Sequence, residues 1–227
     1  MYGLHRWSKA VYGHICAALL GNENDKRVFL TYTDRDWSDT RLRIKAQLER
    51  AGYEVFGYEF ENFPSMSAGN ALDEADRQGE THDYGIDVIL SCKHLIYIFG
   101  GRFGGEYRGS NYSQYAAECS NIIKIQPSVS FMEYLVAKRF GKNAKVYVWE
   151  KVDTARGEWI ENGAPETYNS KVVDKVQVLK QLGYFNALGN GTWYDKYSNE
   201  LMLERFISNH FPLLEETHSP LRDDTEA

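Results

Sequence analysis

The architecture of this chain follows from the segment His94-Leu-Ile-Tyr-Ile-Phe99, which runs directly into the turn Gly100-Gly-Arg102-Phe103-Gly-Gly105. Five successive aliphatic and aromatic residues after His94, ending at a glycine turn, predict a β-strand. In an open parallel sheet, ligands bind in the crevice at the carboxyl ends of the strands. The glycine turn is therefore expected at the edge of the sheet where a ligand would bind.

Outward from this segment, strand and helix patterns alternate along the chain. The predicted strands span residues 27–33, 53–58, 94–99 and 144–149, with a short fifth strand at 192–194. The predicted helices span residues 40–51, 71–78, 82–92, 130–140, 172–182 and 198–210, and residues 59–70 and 151–170 are predicted loops. Strands joined through helices imply right-handed crossovers. The sequence therefore predicts a doubly wound α/β fold with a parallel sheet of about five strands and helices on both faces.

Length and composition favour one main domain. At 227 residues with 43% hydrophobic content, the chain is long enough to bury about 70% of its unfolded surface. We expect a helical extension at residues 1–25, an α/β domain at 26–211, and a disordered acidic tail at 212–227. Residues 106–127 form a long segment between the glycine turn and the next helix.

Charge and cysteine content exclude several functions. The formal charge is −6 and the basic residues are scattered, so nucleic acid is not expected as a partner. Three widely spaced cysteines match neither a disulfide framework nor a zinc site, which fits a reducing cytoplasm. The apolar residues 10–20 are too few and too interrupted for a secretory signal or a membrane span. The six histidines are dispersed, and we expect no metal site.

One carboxylate is the candidate catalytic group. Glu133 lies in Ser128-Val-Ser130-Phe-Met-Glu133-Tyr134, at the predicted start of the helix that follows the third strand. That position places an acidic group in the ligand crevice. The same spacing also fits a capping box, in which Ser130 caps the helix and Glu133 bonds back to its amide. Both interpretations are open from the sequence.

Two stretches together resemble TIR domains. The first is Val28-Phe-Leu-Thr-Tyr-Thr33-Asp-Arg-Asp36 with the following helix and strand, which is similar to the opening of that family. The second is the turn Gly101-Arg102-Phe103-Gly104 followed by Ser128-x-Ser130-x-x-Glu133-Tyr134, which looks like a bacterial TIR-like family of unknown function. The resemblance covers residues 26–150. This chain departs from it in the 106–127 insertion and after Trp149.

The resemblance implies a flavodoxin-like sheet and an enzyme that cleaves the nicotinamide–ribose bond of NAD, with Glu133 as its essential carboxylate. NAD is then a substrate, and no cofactor is expected. Such cleavage builds oxocarbenium character on the ribose, which a nearby carboxylate stabilises. Hydrolysis and cyclisation both stay open. The resemblance also implies self-association or a partner TIR or effector protein, in bacterial stress or antiphage defence.

The other candidate site residues surround the same edge. Thr31, Thr33, Ser128 and Ser130 are expected to bind substrate through their hydroxyls, Asp36 and Arg102 through charge, and Phe103 by stacking. Each has a structural alternative. The threonines close a strand, Asp36 caps a turn, Arg102 pairs with a carboxylate or with solvent, and Phe103 belongs to the core.

Two other functions fit the same pattern. A non-catalytic TIR-like interaction module would use residues 59–70 for docking, and exposure of Phe60 and Phe63 would favour it. A nucleoside deoxyribosyltransferase-like enzyme would use the same carboxylate as a covalent nucleophile.

Overall fold

Five parallel strands form the centre of the molecule. The computed structural model describes residues 24–32, 38–58, 60, 74–168, 170–187 and 194–214. The strands are β1 (Arg27–Tyr32), β2 (Glu54–Phe56), β3 (His94–Phe99), β4 (Asn143–Trp149) and β5 (Asp195–Tyr197), in the spatial order β2-β1-β3-β4-β5. This is the flavodoxin-like order, with the topological switch point between β1 and β3. The predicted doubly wound α/β fold is confirmed.

Seven α-helices of the described chain surround the sheet. They are α1 (Ser38–Arg50), α2 (Glu74–Ser91), α3 (Ser113–Ile123), α4 (Val129–Arg139), α5 (Glu150–Glu161), α6 (Val176–Ala187) and α7 (Glu200–His210). None of the helices within the described residues is long and apolar enough to cross a membrane.

Strand residues alternate between two cores because successive side chains of a strand point to opposite faces. On one face, Val28 and Ile96 pack with Ile44 of α1 and Leu203 of α7. On the other face, the core is larger. It contains Phe29, Leu95 and Tyr97 of the strands together with Ile89 of α2, Cys119 of α3, Phe131 of α4, Val152 of α5 and Leu179 of α6. The sheet is therefore covered on both sides.

The prediction of two short helices before β3 was wrong. Residues 74–91 form one continuous helix, α2, and residues 71–73 lie outside the described part. Gly79 and Gly85 lie within it. A Cβ atom on Gly79 would lie 2.9 Å from the carbonyl oxygen of Arg108. This glycine allows a close backbone approach and does not break the helix.

The predicted loop at 151–170 was also wrong in its first half, which forms α5. Val152, Ala155 and Trp159 are buried along one side of this helix. Their spacing of three and four residues is helical, but polar residues occupy most of the remaining positions. The 106–127 insertion likewise contains a helix, α3, whose Ala116, Cys119 and Ile123 are buried.

Several boundaries follow the predicted signals. Gly52, at φ +92°, lies two residues after the end of α1, and Gly141, at φ +70°, lies two residues after the end of α4. The fifth strand lies at 195–197 and not at the predicted 192–194, of which residues 192 and 193 lie outside the described part. The predicted N-terminal helix (except residues 24–25) and most of the acidic tail also lie outside it. Leu214 is described, and its amide donates to the carbonyl of Ala51 at 2.9 Å.

Candidate functional site

Glu133 lies one turn inside helix α4. The N-cap of α4 is Ser128, whose hydroxyl accepts a hydrogen bond from the amide of Phe131 at 3.3 Å. The residue three positions after the cap is therefore Phe131. The capping-box interpretation of Ser130 and Glu133 is wrong, because Ser130 is already helical and Glu133 is too far along the helix to bond back to the cap.

The insertion fixes the start of α4. Glu106 and Ser128 form an isolated antiparallel bridge, and the amide of Val129 donates to the carbonyl of Gly105 at 2.9 Å. The amide of Tyr107 donates to the carbonyl of Pro127 at 3.0 Å. Both ends of the insertion are thus joined at its base, and the backbone of the cap residue is held there.

A second contact holds α4 against the sheet. The hydroxyl of Ser130 donates to the carbonyl oxygen of Tyr32, the last residue of β1, at 3.1 Å. The guanidinium of Arg41 lies 3.6 Å from the centre of the Tyr32 ring, and Arg41 is buried. The carboxyl end of β1, the start of α4 and a buried cation therefore meet at the topological switch point.

The Glu133 side chain is completely buried, with 0% exposure. Burial raises the pKa of its carboxyl to about 7, and the nearby Thr31 and Tyr58 hydroxyls partly oppose that rise. Neither carboxylate oxygen has a hydrogen-bond partner among the residues that the structure describes. The two hydroxyls thus lie close enough to lower the pKa of Glu133 as hydrogen-bond donors do, although neither contact meets the full hydrogen-bonding geometry.

Two tyrosines respond to the charge of Glu133. The pKa of Tyr58 is well above its usual range, first because of burial and then because of the negative charge of Glu133. The pKa of Tyr97, in the middle of β3, is raised for the same two reasons in the same order. Glu133 is therefore surrounded by a strand threonine, a loop tyrosine and a strand tyrosine, from three different parts of the chain.

The two serines of the motif have different surroundings. Ser128 is 1% exposed, and besides capping α4 it donates to the side-chain oxygen of Gln181 at 3.2 Å. Ser130 is half-buried and contacts β1 as described above. Thr31 is 2% exposed and lies beside Glu133. Thr33 and Asp36 lie outside the described residues.

The glycine turn after β3 separates its two candidate residues. Arg102 is exposed, whereas Phe103 is 2% exposed and belongs to the core of the larger face. The amide of Phe103 donates to Asp174 at 3.0 Å, and the ammonium of Lys175 lies 5.6 Å from the centre of the Phe103 ring. Phe103 is therefore a core residue in this structure, which is the structural alternative to stacking on a substrate.

The segment after α5 packs tightly on the same turn. A Cβ atom on Gly101 would lie 1.8 Å from the carbonyl oxygen of Val172, and the amide of Asp174 donates to the carbonyl of Gly101 at 2.9 Å. An open cleft of about 310 Å³ lies here, lined by Tyr168, Ser170, Lys171, Val173 and Asp174. Glu133 is not part of its wall, so we give this cleft no role in the chemistry.

Sequence reasoning missed the neighbours that give Glu133 its environment. Tyr58 was recognised only as the end of a strand, Tyr97 as a strand residue, and Gln181 and Arg41 as helix residues. A tyrosine at the carboxyl end of a predicted strand is a usable signal, since that end faces the crevice. Nothing in the local sequence indicates that its hydroxyl meets a carboxylate 75 positions later.

No family model matches this chain, and no curated protein is significantly similar to it.

Proposed function

We propose that this chain is a TIR-like enzyme that cleaves the nicotinamide–ribose bond of NAD, with Glu133 as its catalytic carboxylate. The observation that carries the proposal is the contrast between two buried carboxylates, those of Asp83 and Glu133. They are the two acidic side chains that are buried among the described residues.

Asp83, on α2, has the surroundings of a structural carboxylate. It accepts hydrogen bonds from the Tyr107 hydroxyl and from the amides of Ser110 and Asn111, the last two at 3.0 Å each. Three donors compensate for the loss of water around a buried charge. Asp83 therefore holds the base of the insertion against α2.

Neither oxygen of Glu133 has a hydrogen-bond partner of this kind among the described residues, and the Thr31 and Tyr58 hydroxyls offset only part of the effect of burial. Leaving a buried carboxyl without donors is costly, and such groups occur where function requires them. A carboxylate buried away from bulk solvent interacts strongly with a positive charge. The nicotinamide ring of oxidised NAD is cationic, and the ribose becomes cationic as the glycosidic bond breaks. Both charges would offset the cost of ionising Glu133.

The direction of the pKa shift is consistent with this chemistry. With a pKa raised by burial to about 7, the carboxyl is about half ionised at neutral pH before ligand arrives. A cationic ligand at hydrogen-bonding distance would favour the ionised form. Substrate binding would thus create the anion that the reaction needs.

The position in the fold supports the same proposal. Thr31 and Tyr58 place hydroxyls beside the carboxylate at the carboxyl ends of β1 and β2. Ligands of open α/β sheets bind at this edge, next to the switch point. The resemblance of residues 26–150 to TIR-like domains is the reason for proposing NAD as the substrate. It also implies a cytoplasmic role in bacterial stress or antiphage defence.

The interaction-module alternative finds no support at Phe60. That residue is 8% exposed and packs against Gly57 and Leu30 in the smaller core, and Phe63 lies outside the described residues. The experiment therefore tests the role of Glu133.

The test is nicotinamide release from NAD by the purified protein at high concentration with a crowding agent. Wild type is compared with Glu133→Gln and with Asp83→Asn, and each protein is melted at pH 8. We expect release by wild type and none by Glu133→Gln. We also expect Glu133→Gln to melt at or above the wild-type temperature, because it removes an uncompensated charge, whereas Asp83→Asn melts lower.

The products separate the remaining possibilities. Linear and cyclic ADP-ribose would distinguish hydrolysis from cyclisation. Base exchange on deoxynucleosides, with NAD untouched, would support the deoxyribosyltransferase alternative. Release of nicotinamide that persists in Glu133→Gln would overturn the assignment of the catalytic carboxylate.

A further inference from the structure

Helix α2 makes room for one hydroxyl group. A Cβ atom on Gly85 would lie 1.8 Å from the hydroxyl oxygen of Tyr58 and 2.5 Å from the ring carbon that carries it. No residue with a side chain fits at position 85 while Tyr58 stays in place. Glycine within a helix costs about 1 kcal/mol relative to alanine. The close approach of the phenol is the structural reason for a glycine at this position.

The Tyr58 side chain is held on more than one side. Its ring packs edge-to-face on Phe29 of β1, with centroids 5.9 Å apart. Its hydroxyl oxygen is buried between Gly85 of α2 and Glu133 of α4. A buried phenol with fixed ring contacts has few rotamers available, so its hydroxyl is held near the carboxylate.

We propose that Tyr58 is a positioning residue for Glu133, and that Gly85 admits its hydroxyl so that it can donate to the carboxylate once Glu133 ionises. The inference rests on the proposed function of Glu133. The carboxylate oxygens have no partner within hydrogen-bonding geometry among the described residues. A contact that is long while the carboxyl is neutral tightens when negative charge develops on its oxygens.

The titratable groups around this contact can be named from the described residues. On the side of β3, Tyr97 is affected by the charge of Glu133. On the side of α2 and the insertion, Asp83 and Tyr107 act on Tyr58. Tyr58 acts on Glu133 directly and lowers its pKa, against the larger effect of burial. Removing the Tyr58 hydroxyl should therefore move the titration of Glu133 to higher pH.

The first experiment needs no substrate. Urea unfolding is measured from pH 4 to pH 9 for wild type, Glu133→Gln, Tyr58→Phe and the double variant. The part of the pH dependence that Glu133→Gln abolishes is the titration of Glu133. The fall in stability that is due to Glu133 ends at an upper pH, and we expect Tyr58→Phe to raise that pH by about one unit. This is the size expected for losing one hydrogen bond to a charged group. In the Glu133→Gln background, Tyr58→Phe should change stability equally at every pH.

A matched control and a second perturbation sharpen the result. Tyr112 donates to Asp87 of the same helix at 2.6 Å, so Tyr112→Phe also removes a tyrosine hydrogen bond to α2. It should leave the titration of Glu133 unchanged.

Gly85→Ala displaces the phenol and should reproduce the shift seen in Tyr58→Phe. Because Gly85→Ala is severe and can prevent folding, Tyr58→Phe is the deciding variant.

The second readout is the pH profile of nicotinamide release. In Tyr58→Phe, the acidic limb of the pH–rate profile should move to higher pH. The substitution should also lower kcat by a larger factor than it raises KM. An unchanged Glu133 titration in Tyr58→Phe overturns this inference whatever the activity. A shifted titration with no nicotinamide release from any variant keeps the coupling and overturns the proposed function, so the two failures are distinguishable.

Discussion

The hydroxyl of Ser130 donates to the carbonyl oxygen of Tyr32 at 3.1 Å. This contact joins the first turn of α4 to the last residue of β1, the two elements that bring Glu133 beside Thr31. Its effect on function should therefore exceed its effect on stability.

For Ser130→Ala we expect a loss of about 1 kcal/mol in the free energy of unfolding, because one neutral hydrogen bond is removed. Nicotinamide release should fall by tenfold or more, because α4 is no longer fastened to β1. Ser113→Ala is the control, since Ser113 makes an exposed 2.9 Å bond to the carbonyl of Ser110 within the insertion. Equal activity of the two variants would show that the Ser130 contact does not position the site.

The free energy of unfolding should depend on pH through Glu133. The folded-state pKa of about 7 lies above the ordinary glutamate value of 4.5, so the folded state binds more protons between these values. Stability should consequently fall as pH rises from about 4.5 to about 7 and level off above that. The fall attributable to Glu133 is about 3 kcal/mol at full size. Urea unfolding of wild type and Glu133→Gln measures it, and curves that stay parallel across this range would contradict it.

Replacing the N-cap of α4 should cost more than replacing that of α7. Ser128→Ala removes the cap and also the donor to buried Gln181, for a total of about 2 kcal/mol. Asn199 caps α7 by accepting from the amide of Met202 at 3.0 Å, and it is exposed. Asn199→Ala should cost about 1 kcal/mol, again by urea unfolding. A loss for Ser128→Ala no larger than for Asn199→Ala would mean that the Gln181 bond contributes nothing.

Neutralising Asp83 should loosen the insertion. We expect Asp83→Asn to lower the free energy of unfolding by about 2 kcal/mol, because two amides and a hydroxyl lose a charged acceptor. Hydrogen exchange should rise most at the amides of Ser110 and Asn111. Asp87→Asn weakens the exposed bond from the Tyr112 hydroxyl and should cost less than about 1 kcal/mol. Unchanged exchange at these amides in Asp83→Asn would contradict the anchoring role.

The local sequence predicted those secondary-structure elements whose signal lies in a few neighbouring residues. The strands β1, β3 and β4 were predicted within one residue over their described lengths, because an apolar run is a property of neighbouring residues. The sequence did not show α5, whose three buried positions lie among polar residues. It also split α2 at residues that include Gly79, where close packing and not a turn requires glycine. Glycine has both uses, and the sequence does not distinguish them.

The helical position of Glu133 was predicted, and its environment was not. Strand order, helix alternation and the candidate carboxylate follow from patterns that span a few residues each, so they can be inferred from the chain alone. The burial of that carboxylate depends on Thr31, Tyr58 and Tyr97, which are 102, 75 and 36 positions away in the chain. Only folding brings these residues together, and the desolvation that raises the pKa of Glu133 exists only in the assembled core.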